Sequence, residues 1–75
     1  MEILTKRLNE LIEEKRITIK ELADGIGASK ALVTIWTQGK SLPSVIYLSK
    51  IADYFDVSCD YLLGKKDIFQ WYFGK

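Results

Sequence analysis

Ser29, Lys30, Thr34, Gln38 and Lys40 are among the hydrogen-bonding groups of one short stretch, SKALVTIWTQGK. Ammonium groups, hydroxyls and an amide set among Ala31, Leu32, Val33 and Ile35 can bind by noncovalent contact, but they form no catalytic set. Elsewhere the catalytic options narrow quickly. The chain has no histidine, which removes imidazole acid–base chemistry and the common zinc sites. Glu13/Glu14 and Asp53/Asp56 fall at spacings ordinary for a solvated helix face. No nucleophile–base pair, glycine-rich phosphate loop or metal cluster is visible. No enzyme, metal or cofactor is expected. Cys59 is the only cysteine, so no intrachain disulfide forms, and a lone thiol fits a reducing compartment.

The elements that position these groups are helical. Leu4, Leu8, Leu11 and Ile12 share one face of a first helix, with Lys6, Arg7, Glu10, Glu13 and Glu14 around the rest. Thr18-Ile19-Lys20-Glu21 has the form of a capping box and opens a second helix carrying Leu22, Ala23 and Ile26. Gly25 and Gly27 are expected to mark its end. Ser29 caps a third helix that Gly39 stops. Leu42-Pro43-Ser44 starts a fourth, whose apolar stripe is Val45, Leu48, Ile51, Ala52 and Phe55. Ser58 caps a short fifth helix closed by Gly64. Ile68, Phe69, Trp71, Tyr72 and Phe73 then crowd a tail whose β-branched and aromatic content favours a strand or a docked segment.

Seventy-five residues, 48% of them hydrophobic and 28% charged, make one domain. A chain of this size buries only about 60% of its unfolded surface, so it gains from a partner subunit. The uncharged run Ala31 to Gly39 is far short of the ~20 residues of a membrane span. No secretory signal opens the chain, so the cytoplasm is the expected location. The net charge is +1, low for a nucleic-acid binder, although placement counts for more than the sum.

Thr18 to Lys40 is the informative region. Two short helices joined by a glycine-containing turn make a helix-turn-helix over 18–38. Its packing requires a small residue at Ala23, glycine at Gly27, and buried apolar groups at Val33 and Trp36. The runs ITIKELADGIGASKALVTIWTQGKSLPS and LSKIADYFDVSCDYLLG resemble the Cro/lambda-repressor class of helix-turn-helix proteins, also called the xenobiotic-response-element family. The resemblance covers roughly residues 4 to 64. It implies an all-α, five-helix DNA-binding domain over 1–64, followed by the aromatic tail at 65–75. It also implies a dimeric transcriptional repressor, often of phage or mobile-element origin, with Ser29–Gln38 as recognition helix.

At ~100° per residue, Val33 and Trp36 face inward, while Ala31, Thr34, Ile35 and Gln38 face away. Lys30 and Leu32 take the two flanks. The resemblance places Lys30, Ala31, Thr34 and Ile35 at base edges and Gln38 and Lys40 at phosphates. Lys30 can donate to guanine O6 and N7 or to a phosphate. Ala31, Ile35 and the Thr34 methyl can meet thymine methyls, and the Thr34 hydroxyl can bond to a base or to the backbone. Bidentate readout is largely absent, so modest discrimination weighted toward T-rich sites is expected, with DNA shape contributing. Thr18, Lys20, Ser29, Gln38, Lys40 and Ser41 lie at helix starts or in the following loop, where phosphates are readily held.

Three positions depart from the family's pattern. Ile19 stands where glutamine is usual and cannot clamp phosphate through its side chain. Ile12 and Thr37 stand where the family tends to pair arginine with glutamate. Loss of both partners together is the cheap way to lose a buried ion pair, so a repacked core is expected there. The exposed aliphatic groups also support a rival reading, in which the fold serves as an antitoxin-like or antirepressor-like protein-binding module. Ile68, Phe69, Trp71, Tyr72 and Phe73 are expected at a homodimer contact in preference to packing on their own bundle. A twofold dimer places two recognition helices ~34 Å apart and implies a palindromic operator. A protein antagonist is a further possible partner.

Overall fold

The computed structural model describes residues 2–65 and contains five helices among them. They are α1 (Glu2–Glu14), α2 (Ile19–Ile26), α3 (Lys30–Thr37), α4 (Val45–Phe55) and α5 (Cys59–Leu62). The expectations placed on Ile68, Phe69, Trp71, Tyr72 and Phe73 lie outside the described residues.

Hydroxyl side chains start four of these helices. The Thr18 hydroxyl accepts the Glu21 N–H, and the Glu21 carboxylate accepts the Thr18 N–H in return, which closes the capping box. Ser29, Ser44 and Ser58 accept the N–H groups of Leu32, Tyr47 and Tyr61. Each cap satisfies one of the four N–H groups a helix start leaves without a partner.

All five helices end in the same way. One residue turns left-handed, and the next N–H reaches back five residues: Ile17 to Ile12, Ala28 to Ala23, Lys40 to Ile35, Val57 to Ala52 and Lys65 to Asp60. The left-handed residue is glycine at three ends, but Arg16 (φ 53°) and Asp56 (φ 56°) at the ends of α1 and α4. A side chain at such a φ costs energy that glycine avoids.

The core gathers apolar groups from every helix. Leu4, Leu8 and Leu11 of α1 meet Leu22, Ala23 and Ile26 of α2, Val33 and Trp36 of α3, Ile51, Ala52 and Phe55 of α4, and Leu62 of α5. No charged or polar residue is buried among the described residues. Arg7 of α1 ties α5 in place: its guanidinium donates to the Tyr61 carbonyl and lies 4.4 Å from the centre of the Tyr61 ring. None of the described helices is long and apolar enough to cross a membrane.

Two expectations need correction. Gly25 does not end α2; it lies inside the helix, and Gly27 (φ 72°) is the left-handed cap. Glycine is favoured at 25 because the Tyr54 ring of α4 lies across it. A Cβ there would come 2.4 Å from Tyr54 Cε2. Val45 does not belong to the buried stripe of α4, since it is 83% exposed. As the first residue of α4 it precedes the turn that reaches the core, and the buried face starts with half-buried Tyr47 and Leu48 and becomes complete at Ile51.

Candidate nucleic-acid interface

The outward face of α3 exists because its other face is anchored. Val33 is fully buried and Trp36 nearly so. The Trp36 ring packs on Tyr47 of α4 at 5.3 Å between centroids, tilted by 53°. Ser29 holds the start of the helix. Asn9 of α1 holds its end, because Asn9 Nδ2 donates both to the Thr37 carbonyl and to the Thr5 carbonyl, at 2.9 Å each. That bridge joins residues 28 apart in sequence and is invisible to any local reading.

Around this anchor, Lys30, Ala31, Ile35 and Gln38 stand exposed and Thr34 is half-buried. They form one solvent-facing surface. Ile35 is 37% exposed, an aliphatic side chain left without a complete packing partner. Leu32 is different: it is half-buried against the core and does not belong to that surface. Thr34 is more constrained than its sequence implies. Its hydroxyl donates to the Lys30 carbonyl at 2.8 Å, so toward an outside group it can only accept unless that bond breaks. Thr37 likewise donates to the Thr34 carbonyl.

The departures from the family's pattern fit the packing. Ile12 and Ile19 are half-buried against the core, where a guanidinium or a side-chain amide would need a partner. Thr37 satisfies its hydroxyl within α3, so no unpaired charge remains beneath the helix.

The groups expected at phosphates are all exposed, and their donors differ in availability. Thr18 and Ser29 use their hydroxyl oxygens as cap acceptors, which leaves the O–H free to donate. Lys20 is held by Asp24, four residues on, at 2.9 Å. The hydrogen bond to Asp24, and then its charge, raise the Lys20 pKa above 10.5. A raised folded-state pKa stabilises fully below the unfolded value and is lost only as pH rises through the folded one. Lys20 therefore stays charged at neutral pH, with its charge directed at its own helix. Lys30 and Lys40 make no ion pair among the described residues.

One cation was not singled out from the sequence. Lys6 of α1 lines a shallow recess of about 380 Å³ with Glu2, Thr5, Gln38 and Gly39. It shares this recess with the exit of α3 although more than thirty residues separate them. On the helical pattern of α1 it is one solvated lysine among several charges, so no local signal marks it.

With that geometry in place, comparison with known proteins is decisive on family. Residues 8–62 match the model of the helix-turn-helix family. The chain belongs to that family. It is 37% identical over 60 residues to the HTH-type transcriptional regulator AnsR of Bacillus subtilis (strain 168), a match covering 80% of this chain. The chain spans about half the length of that relative (52%). Its fold is similar to a transcriptional regulator from Listeria innocua, with a TM-score of 0.78 over 95% of this chain and 73% of the other, at 22% identity. The resemblance read from Thr18 to Lys40 and the five-helix architecture are both borne out.

Proposed function

We propose that the chain is a sequence-specific double-stranded DNA-binding transcriptional regulator, a dimeric repressor that lays α3 in the major groove of a palindromic operator. The observation that carries this reading is the outward face of α3. Lys30, Ala31 and Ile35 are exposed on a helix that Val33, Trp36 and Asn9 fix in place. The regulator function given for the relative AnsR supports the reading. Lys30 donates to guanine or phosphate, and Ala31, Ile35 and Thr34 present methyl groups to thymine. Thr18, Lys20, Ser29, Gln38, Lys40 and Ser41 position the duplex by its phosphates, and Lys6 joins them beside Gln38. The tail, through Ile68, Phe69, Trp71, Tyr72 and Phe73, holds two copies together.

Selection of binding sites from random DNA tests the readout. Lys30→Ala and Ile35→Ala should each change the preferred site relative to the wild type. An unchanged preference in both variants removes α3 as the reading element.

The rival, a protein-docking module built on the same face, keeps some support from exposed Ala31 and Ile35. It loses Leu32, which packs on the core. Salt separates the two readings. DNA binding weakens steeply as salt rises because counterion release loses its drive, while an apolar protein contact barely responds.

A further inference from the structure

The Thr34 hydroxyl, in the middle of the outward face of α3, donates to the Lys30 carbonyl at 2.8 Å. We propose that this bond makes Thr34 a one-way reader of base edges. It accepts from the exocyclic amine of adenine or cytosine and rejects the carbonyl of guanine or thymine at the same place. This rests on the reading of α3 as the element in the major groove, and it adds which bases one operator position takes.

A hydroxyl has one proton and two lone pairs. A carbonyl oxygen only accepts, so the Thr34 proton lies toward Lys30 and a lone pair is what it can offer outward. Threonine in a helix readily makes this bond to the preceding turn. Thr37 does the same toward the Thr34 carbonyl at 2.8 Å, but it is half-buried beside the anchored face.

No neighbour on that face can substitute. Lys30 carries donors only, and Ala31 and Ile35 carry no polar side-chain atom. The Ser29 oxygen already accepts the Leu32 N–H. Among Lys30, Ala31, Thr34 and Ile35 the single side-chain acceptor is therefore the Thr34 oxygen.

The major groove presents adenine N6 and cytosine N4 as donors, and guanine O6 and thymine O4 as acceptors. On the strand that Thr34 faces, the choice is thus between amino and keto bases. A keto base sets lone pair against lone pair, and relief requires the proton to leave the Lys30 carbonyl. One neutral hydrogen bond is at stake, roughly five- to tenfold in affinity. Lys30, one turn earlier, has the opposite demand, since its donors need guanine O6 and N7.

Site selection from random DNA with the full chain, followed by affinities on the selected operator at fixed salt, tests the proposal. Wild type should show a position that admits adenine and cytosine and disfavours guanine and thymine roughly five- to tenfold. Thr34→Val keeps the shape and a methyl but has no acceptor, and should lose that preference alone. Thr34→Ser keeps the acceptor and should retain it. Base analogues then fix the direction of the bond. Replacing the base at that position by one lacking only its exocyclic amine should weaken wild type by a similar factor and leave Thr34→Val nearly unaffected. An adenine analogue with carbon in place of N7 should bind wild type as adenine does. A preference that Thr34→Val leaves intact, a keto base favoured through Thr34, or sensitivity to N7 in place of the amine would each overturn the proposal while leaving α3 as the reading element. A wild-type chain that binds no DNA would remove both.

Discussion

Gly25 and Tyr54 set the angle at which α4 rests on α2, and a double-mutant cycle on this pair tests the packing that positions α3. A Cβ at Gly25 lies 2.4 Å from Tyr54 Cε2 and 2.8 Å from Cδ2. Carbon atoms in contact settle at roughly 3.5–4.0 Å, so Gly25→Ala must move the ring or the helix by on the order of 1 Å. Overpacking of this kind costs about 1–3 kcal/mol. Against it stands a gain of roughly 0.5–1 kcal/mol from replacing a helix-interior glycine by alanine. Tyr54 is 39% exposed, so the ring can swing outward, which holds the cost toward the lower end. Doing so forfeits its edge contact with Phe55, now at 5.1 Å. The net expectation is a loss of about 1 kcal/mol. With Tyr54→Ala in place the obstacle is gone, and the same Gly25→Ala should stabilise by roughly 0.5–1 kcal/mol. The coupling is therefore about 2 kcal/mol. Urea unfolding followed by tryptophan fluorescence measures it, with Trp36 as the buried reporter. A Gly25→Ala effect of the same sign and size in both backgrounds would refute the argument.

Asn9→Ala removes the bridge to the Thr37 and Thr5 carbonyls and should cost about 1 kcal/mol in urea unfolding; it should also weaken DNA binding more than that loss of folded population accounts for. Ser29→Ala removes the cap of α3 and should cost about 1 kcal/mol, read in the same way. Lys40→Ala should lower the affinity for all DNA sequences alike and reduce the slope of log affinity against log salt by about 0.9. A changed site preference instead would move Lys40 into base readout. Replacing Phe69, Trp71 and Phe73 by serine in the full chain should shift the sedimenting species toward monomer, and an unchanged dimer would remove the tail from the interface.

The parts of the fold legible in the sequence are those carried by local chemistry. Thr18, Ser29 and Ser58 cap helices because a hydroxyl next to an apolar repeat has few other uses, and Gly27, Gly39 and Gly64 mark ends because left-handed backbone suits glycine. Val33 and Trp36 were legible because the packing of the motif fixes their spacing. The ends at Arg16 and Asp56 were not, since a non-glycine residue in the same conformation leaves no trace in its type. Gly25 shows the reverse problem. Its type reads as punctuation, whereas the reason for it lies on Tyr54, 29 residues away, and only the tertiary structure reveals it. The bridge from Asn9 to Thr37 and the nearness of Lys6 to Gln38 are long-range for the same reason. Val45 was misplaced because periodicity gives a face but not where along the helix that face meets the core.

The shortage of hydrogen-bonding groups on α3 need not weaken a regulator with this charge. Affinity for phosphates grows with every cation a protein presents, and it grows equally on every sequence. In the proposed reading, a chain of net charge +1, with Lys20 already engaged by Asp24, has less of that general hold than a strongly basic one. Random DNA would then sequester less of it. What matters for occupancy is the ratio between operator and background, and a low background reaches a useful ratio with modest specific contacts. The methyl contacts proposed for Ala31, Ile35 and Thr34 suit that regime, because they would add to the operator and not to the phosphates. In the proposed reading a second copy held by apolar groups would add further, since joining two half-sites raises the effective concentration of the second without adding any charge. In the proposed reading the exposed aliphatic residues of α3 are thus consistent with the rest of the surface, with recognition and assembly both relying on contacts that salt does not screen.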